Sequence, residues 1–310
     1  MRRVIAMQVI VRHVIALLGL SLTFSMPLMA DENKPLAGQI WDVSQGSFVQ
    51  FSDMLETVSD KTYIILGERH GRKAHQGREA FLIGALAEAG RYPTIAFEML
   101  NHTQDIIVER YRKKSPEYAL GLAVPLKWSD SNWPAWSFYQ PVFDVAFTTK
   151  AKIVGGDLTV MEQDEAIISK TSDANAPSAS LSYYQDQMTA AHCGLIDEER
   201  ATELAYLQMA RDQQMANALR ESSDPVQGGL LVVGSAHIRK GSGIPNYLPS
   251  DETATIIMIE TAGSTAEFAT EDQDIVSGSL TDFDYIWFTP KIEKTSLCDR
   301  IGTKTGTDSN

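Results

Sequence analysis

The sequence is short of cations, of cysteine and of long apolar runs. Lys and Arg number 27 against 40 Asp and Glu, a formal charge of −13. Arg2, Arg3 and Arg12 all fall in the first 30 residues, which carry no acid, so the remainder is more acidic still. A surface of that sign repels nucleic acid and anionic membrane. No run is as long as the roughly 20 apolar residues that a membrane span needs. The run Val14–Phe24 follows those arginines and leads into Met26-Pro27-Leu28-Met29-Ala30. This pattern predicts a secretory signal peptide over residues 1–30, cut near Ala30, and a periplasmic or secreted mature chain with no transmembrane span. No cysteine stands at the cut, so a lipid anchor is not indicated. Cys193 and Cys298 are the whole cysteine content. An even pair in an exported chain predicts a structural disulfide rather than two buried thiols. Closing a loop of about 100 residues is worth about 4–5 kcal/mol in the chain-entropy model.

What the chain does have is a recurring device: a short apolar strand that breaks and presents a polar side chain. Tyr63–His70, Y-I-I-L-G-E-R-H, offers Glu68 and His70 in this way, and Leu230–His237, L-L-V-V-G-S-A-H, offers His237. Thr94–Phe97 ends on Glu98, and Lys152-Ile153-Val154 runs through two glycines to Asp157. Between the first strand and Thr94 the apolar positions Leu82, Leu86 and Ala89 have helical spacing, with Gly90 as terminator and His75 and Glu79 on one face. Strand, helix, strand at that distance is a βαβ unit. The pattern predicts an α/β fold, a mainly parallel central β-sheet flanked by helices.

Other segments read as follows. Residues 31–60 form an N-terminal extension with a helix over Phe51–Val58, residues 61–300 the domain, and residues 301–310 a disordered tail. Helices are predicted over Thr103–Lys114, Phe143–Lys150 and Asp197–Glu221, the last with Asp197 as N-cap and an Arg211–Asp212 ion pair on its apolar side. Thr171–Ser180 reads as a mobile connection. Strands are expected at Thr255–Ile259, before an acidic loop to about Gly278, and at Tyr285–Phe288. Trp128, Trp133, Trp136, Phe138 and Tyr139 crowd a proline-bounded stretch that serves either as core and lid packing or as a wall for a ligand.

Ligands of open α/β sheets bind beyond the carboxyl ends of the strands, which is where Glu68, His70, Glu98, Asp157 and His237 are expected to meet. Histidine nitrogen with carboxylate oxygen suits a divalent ion such as Zn, Mn, Fe or Co, held by His70, Glu98, His237 and His75. Glu68 would then be the general base of a metal-dependent hydrolase or peptidase. The same groups could instead work without metal, as an acid–base pair. One G-x-x-H is a weak signal; two after apolar runs, with Glu98, are a stronger one.

G-E-R-H with His75 beyond it, F-E-M-L at Phe97–Leu100, H-C-G at His192–Gly194, R-D-Q-Q-M-A at Arg211–Ala216, G-S-A-H-I-R-K-G-S-G-I-P at Gly234–Pro245 and Y-I-W-F-T-P at Tyr285–Pro290 together resemble the ChaN-like haem-binding uptake proteins of the Tiki and erythromycin-esterase-like superfamily. The resemblance spans about Tyr63 to Cys298. It implies a single α/β domain, export, haem binding linked to iron acquisition, and a polar pocket at Glu68, His70, Glu98 and His237. It also implies a tyrosine on the haem iron, for which Tyr139 is the candidate, with Tyr111 and Tyr247 as others. Arg239 and Lys240 are the candidates near the propionates, and a homodimer could enclose the haem. Some relatives carry a lipid-anchoring cysteine that this chain lacks.

Overall fold

The computed structural model describes residues 35–170, 178–265, 268, 279–292 and 298. The expected signal peptide, residues 266–267 and 269–278 of the expected acidic loop and the tail over 301–310 lie outside the described residues. Eight strands form one sheet: β1 Ile40–Asp42, β2 Ser47–Val49, β3 Tyr63–Glu68, β4 Thr94–Asn101, β5 Ile153–Asp157, β6 Gly229–Gly234, β7 Thr253–Thr261 and β8 Tyr285–Pro290. Their order is β2-β1-β8-β7-β3-β6-β4-β5. The six from β8 to β5 are parallel. β1 and β2, in the stretch expected to be an extension, add an antiparallel edge.

The sheet is covered on both faces because the inner strands are apolar on both sides. Ile64 and Leu66 of β3 face one core with Leu82, Leu86, Phe143 and Trp287. Tyr63 and Ile65 face the other with Met215, Leu219 and Phe288. Helices α1 Phe51–Ser59, α2 Lys73–Glu88 and α4 Trp136–Thr148 supply the first layer, and α7 Glu198–Ser222 the second. The remaining helices are α3 Asp105–Arg112, α5 Val160–Ser169 and α6 Ser180–Ala191. α6 packs on α7 through Tyr184, Ala205 and Met209. Among the described residues no helix is long and apolar enough to cross a membrane.

Local chemistry accounts for most boundaries. Asp197 caps α7, its Oδ1 accepting the Arg200 N–H at 2.8 Å. Gly90 takes φ +83 just after α2. α4 starts at Trp136 rather than at Phe143 and takes in Pro141, whose missing N–H falls where the partner carbonyl belongs to exposed Ser137. α6 opens at Ser180, the last residue of the expected connection, whose residues 171–177 lie outside the described residues. Cys193 and Cys298 form the expected disulfide.

Candidate functional site

β3 and β6 lie side by side in parallel register with Glu68 opposite Gly234, so the two G-x-x-H segments leave the sheet together. The glycines act here through close approach rather than as breaks. A Cβ on Gly234 would meet His70 Nε2 at 2.9 Å and Glu98 Oε2 at 3.3 Å, and one on Gly67 would meet Ile238 Cδ1 at 2.4 Å. β4 is next to β6 and brings Glu98 to the same place.

Glu98 is the centre of the cluster. Its Oε2 accepts the Gly234 N–H at 2.6 Å and lies 3.5 Å from His70 Nε2. Its Oε1 accepts from Arg211 Nη2 at 2.7 Å and lies 3.6 Å from His237 Nε2. Each histidine is anchored by its other nitrogen, His70 Nδ1 to Glu68 Oε1 at 2.7 Å and His237 Nδ1 to Asp212 Oδ1 at 2.5 Å. Two carboxylate–imidazole pairs therefore converge on one carboxylate. Tyr139 OH and Gln76 Nε2 also donate to Glu68, the former at 2.8 Å, and Tyr184 OH donates to Asp212. Only His70 reaches solvent appreciably, with 30% of its side chain exposed against 6% or less for Glu68, Glu98 and His237.

The electrostatics follow from this geometry. Burial pushes the Glu98 carboxyl up, but Arg211, then His70, His237 and the Gly234 N–H, outweigh it and hold it down at about 2. Burial opposes charge on His70, yet Glu98 and Glu68 raise its pKa above the ordinary histidine value. Glu68 is lowered despite burial, by His70, Glu79 and Tyr139. Asp212 is raised by burial, which outweighs His237 and Tyr184.

Arg211 also grips Asp157, Nε to Oδ1 at 2.9 Å. The expected Arg211–Asp212 pair is thus replaced by two separate attachments, because neighbouring residues on a helix point in different directions. Arg211 joins α7 to β4 and β5, and Asp212 orients His237. Among the described residues no group of three His, Cys, Asp or Glu is arranged to hold a metal ion. The guanidinium of Arg211 already neutralises the carboxylate that Glu98 would offer a cation, so the donor set as arranged does not fit the expected divalent ion.

His75 is not brought to this cluster. Its Nδ1 accepts the Arg69 N–H at 2.8 Å and its Nε2 meets Thr289 Oγ1 at 2.9 Å, beneath the turn after β3. Tyr139 is fully buried, and burial followed by Glu68 pushes its phenol far above the ordinary range. Tyr111 OH accepts the Gly121 N–H at 3.0 Å. Tyr247 is half-buried against the core that faces α7. Arg239 donates to Asp282 at 2.7 Å and stacks on Tyr183 and Phe283, while Lys240 pairs with Asp284 at 2.6 Å. Asp212, Arg211, Gln76 and Tyr184 escaped assignment to the site. The sequence signals for Arg211 and Asp212 were the pair of charges interrupting α7's apolar side and the R-D-Q-Q-M-A motif that they open.

Beside the cluster lies an aromatic cleft of about 710 Å³, lined by Val124, Lys127, Trp128, Trp133 and Trp136. Trp128 and Trp136 are also core residues, so the packing expected for this segment is present. The edge of the Trp133 ring meets His70, centroids 4.9 Å apart. A smaller cavity of about 170 Å³ runs on from the cleft past Trp128 and Trp133 to Glu98 and Asp157.

The sequence profile of the family described as haem-binding uptake, Tiki superfamily, ChaN matches residues 54–248. No curated protein matches the chain in sequence. A solved structure titled "Cofacial heme binding to ChaN of Campylobacter jejuni" superposes with a TM-score of 0.62 at 21% identity, over 80% of this chain and 95% of that one. The type III effector HopBA1 gives a TM-score of 0.45 at 13% identity, over 84% of this chain and 97% of that one.

Proposed function

The chain belongs to the ChaN family of haem-binding uptake proteins in the Tiki superfamily, and from that premise we propose that it is an exported haem-binding protein serving iron acquisition. The aromatic cleft is the observation that carries the site. Its volume falls among those of small-molecule and cofactor sites, and three tryptophans give the flat apolar walls that a porphyrin needs. Lys127 is the cation on its rim for a propionate, in place of Arg239 and Lys240, which are occupied elsewhere. The Cys193–Cys298 disulfide supports an oxidising compartment.

Tyr139 does not suit the iron, since its phenol is enclosed and committed to Glu68. Tyr118 does: it is 65% exposed and shortly precedes Ala123 and Val124, which line the cleft. Val124 is 80% exposed, and a second copy laid over that open side would enclose the haem. Haemin titration of the mature protein is expected to give a saturable Soret band. Y118F is expected to change that spectrum and Y139F to leave it intact, while W133A weakens binding about tenfold through the lost stacking surface. Haemin is expected to shift the sedimentation coefficient from monomer to dimer. A non-saturable band in the wild type sinks the reading; a Soret spectrum indifferent to Y118F removes Tyr118 alone.

A second reading, a hydrolase, is favoured by the two carboxylate–imidazole pairs that converge on Glu98. His237 would take a proton from water and His70, whose pKa Glu98 and Glu68 raise, would give one to the leaving group. No step passes through a metal ion. Activity on aryl esters that survives both H70A and H237A would count against it.

A further inference from the structure

Glu79 is a buried carboxyl that neither haem binding nor the acid–base pairs make use of. It lies on α2, one turn beyond His75 and Gln76, with no exposed surface. Neither of its oxygens finds an N–H or O–H donor among the described residues. The titratable groups facing it are few. Glu68 comes from β3, and Tyr139 from α4 is already spent on Glu68. His75, on the same helix, donates its only N–H to Thr289. Arg72 turns its Nε to Glu260, its Nη1 making no hydrogen bond to either Glu79 oxygen, and Arg211 is held by Glu98 and Asp157. His70 is engaged by Glu68 and Glu98.

An ionised carboxylate without donors is costly in such a place, and a second one beside Glu68 more so. A carboxyl whose hydrogen-bonding neighbour is a pure acceptor can be hydrogen-bonded to it in one way, by donating. We propose that Glu79 keeps its proton at neutral pH and donates it to Glu68. Glu68 is then the single ionised carboxylate that orients His70, and Glu79 is the positioning residue behind it. Burial and the Glu68 charge both act to keep that proton in place. Two carboxyls sharing one proton is the arrangement that sets acid and base roles apart in several enzymes. Here it fixes which oxygens of Glu68 remain acceptors for His70, Tyr139 and Gln76. The inference holds whether or not the cluster turns over a substrate.

The test is infrared spectroscopy of the full mature chain with glutamate-selective carboxyl-carbon labelling at pH 8, which separates Glu79 from Asp212. A carbonyl stretch of a protonated carboxyl is expected, shifted by the label and lost in E79Q. By NMR, the His70 protonation constant is expected to stay within about twofold in E79Q, because a neutral group replaces a neutral group. The absence of a protonated-glutamate band in the wild type overturns the proposal, whether or not E79Q folds. So does a fall of about tenfold in the His70 protonation constant, the response to removal of a real negative charge.

Discussion

His75 shows how one histidine can satisfy a site motif and serve the fold instead. The Arg69 N–H donates to Nδ1, so the ring's proton is on Nε2 and donates to Thr289 Oγ1, which itself donates to the Ile259 carbonyl at 3.3 Å. That chain ties the turn after β3 to the ends of β7 and β8. Burial, opposed by Glu68 and reinforced by Arg72, lowers the His75 pKa to about 4. A depressed histidine binds its proton more readily unfolded, so its contribution is complete above about pH 6.5 and shrinks as pH falls toward 4. The expected loss is up to about 3 kcal/mol, read from urea unfolding at pH 7 and pH 4.5. H75N should be less stable at pH 7 and flatter across that interval. Glu98, held at about 2, adds a loss that begins below the ordinary carboxylate value, near 4.5. His70 works in the other direction: its raised pKa contributes stability below about 6.5 that fades as pH rises through its folded value. These three slopes were not legible in the residues themselves. G-E-R-H announced polar chemistry at a strand end, but only the positions of β7 and β8 determine that His75 faces Thr289 rather than Glu98.

At the scale of elements, the parallel pairing of β4 with β5 locates Glu98. Pairing runs from Ile95 to Phe97, slips, and resumes at Asn101, so Glu98 sits in an irregular stretch. A slip of that kind re-aims side chains. Gly155 permits it, because a Cβ there would stand 2.1 Å from the carbonyl carbon of Asn101, and its N–H donates to Asp105 at 2.6 Å. G155A should cost about 3 kcal/mol in chemical denaturation. It should also weaken the Arg211 bridge from Glu98 to Asp157, seen as a rise in the Glu98 pKa. Gly-Gly-Asp was legible as the end of a strand, and the helix over Lys73–Glu88 as an amphipathic element. α6 was not, since Ser180, Ser182, Gln185 and Asp186 in its first turns leave no strong apolar period, and its order comes from packing Tyr184 against α7. The start of α4 was obscured for a related reason: Pro141 argues locally against a helix that burial of Trp136, Tyr139 and Phe143 nevertheless stabilises.

Across the whole molecule, the Cys193–Cys298 bridge joins residues 105 apart in sequence, from the end of α6 to the far side of β8. Loss of the bridge in C193S/C298S should lower stability by up to about 4–5 kcal/mol, the chain-entropy value, with a smaller loss if the reduced unfolded chain stays compact. Thermal unfolding with and without reductant measures it, and the double variant should no longer respond to reductant. Taken alone, the sequence determined the α/β class, the strand ends that carry Glu68, His70, Glu98 and His237, and the cysteine pair, because strand periodicity, terminal polar residues and a count of two are local properties. The tertiary structure decided the strand order that places β3 between β6 and β7, the antiparallel edge made by residues 40–49, the role of Arg211 as the cation at Glu98, and the contacts of Tyr139 with Glu68 and of His75 with Thr289. Those outcomes depend on which side chains meet across elements far apart in the chain, and a buried charge or hydroxyl takes whichever partner the fold sets within hydrogen-bond reach.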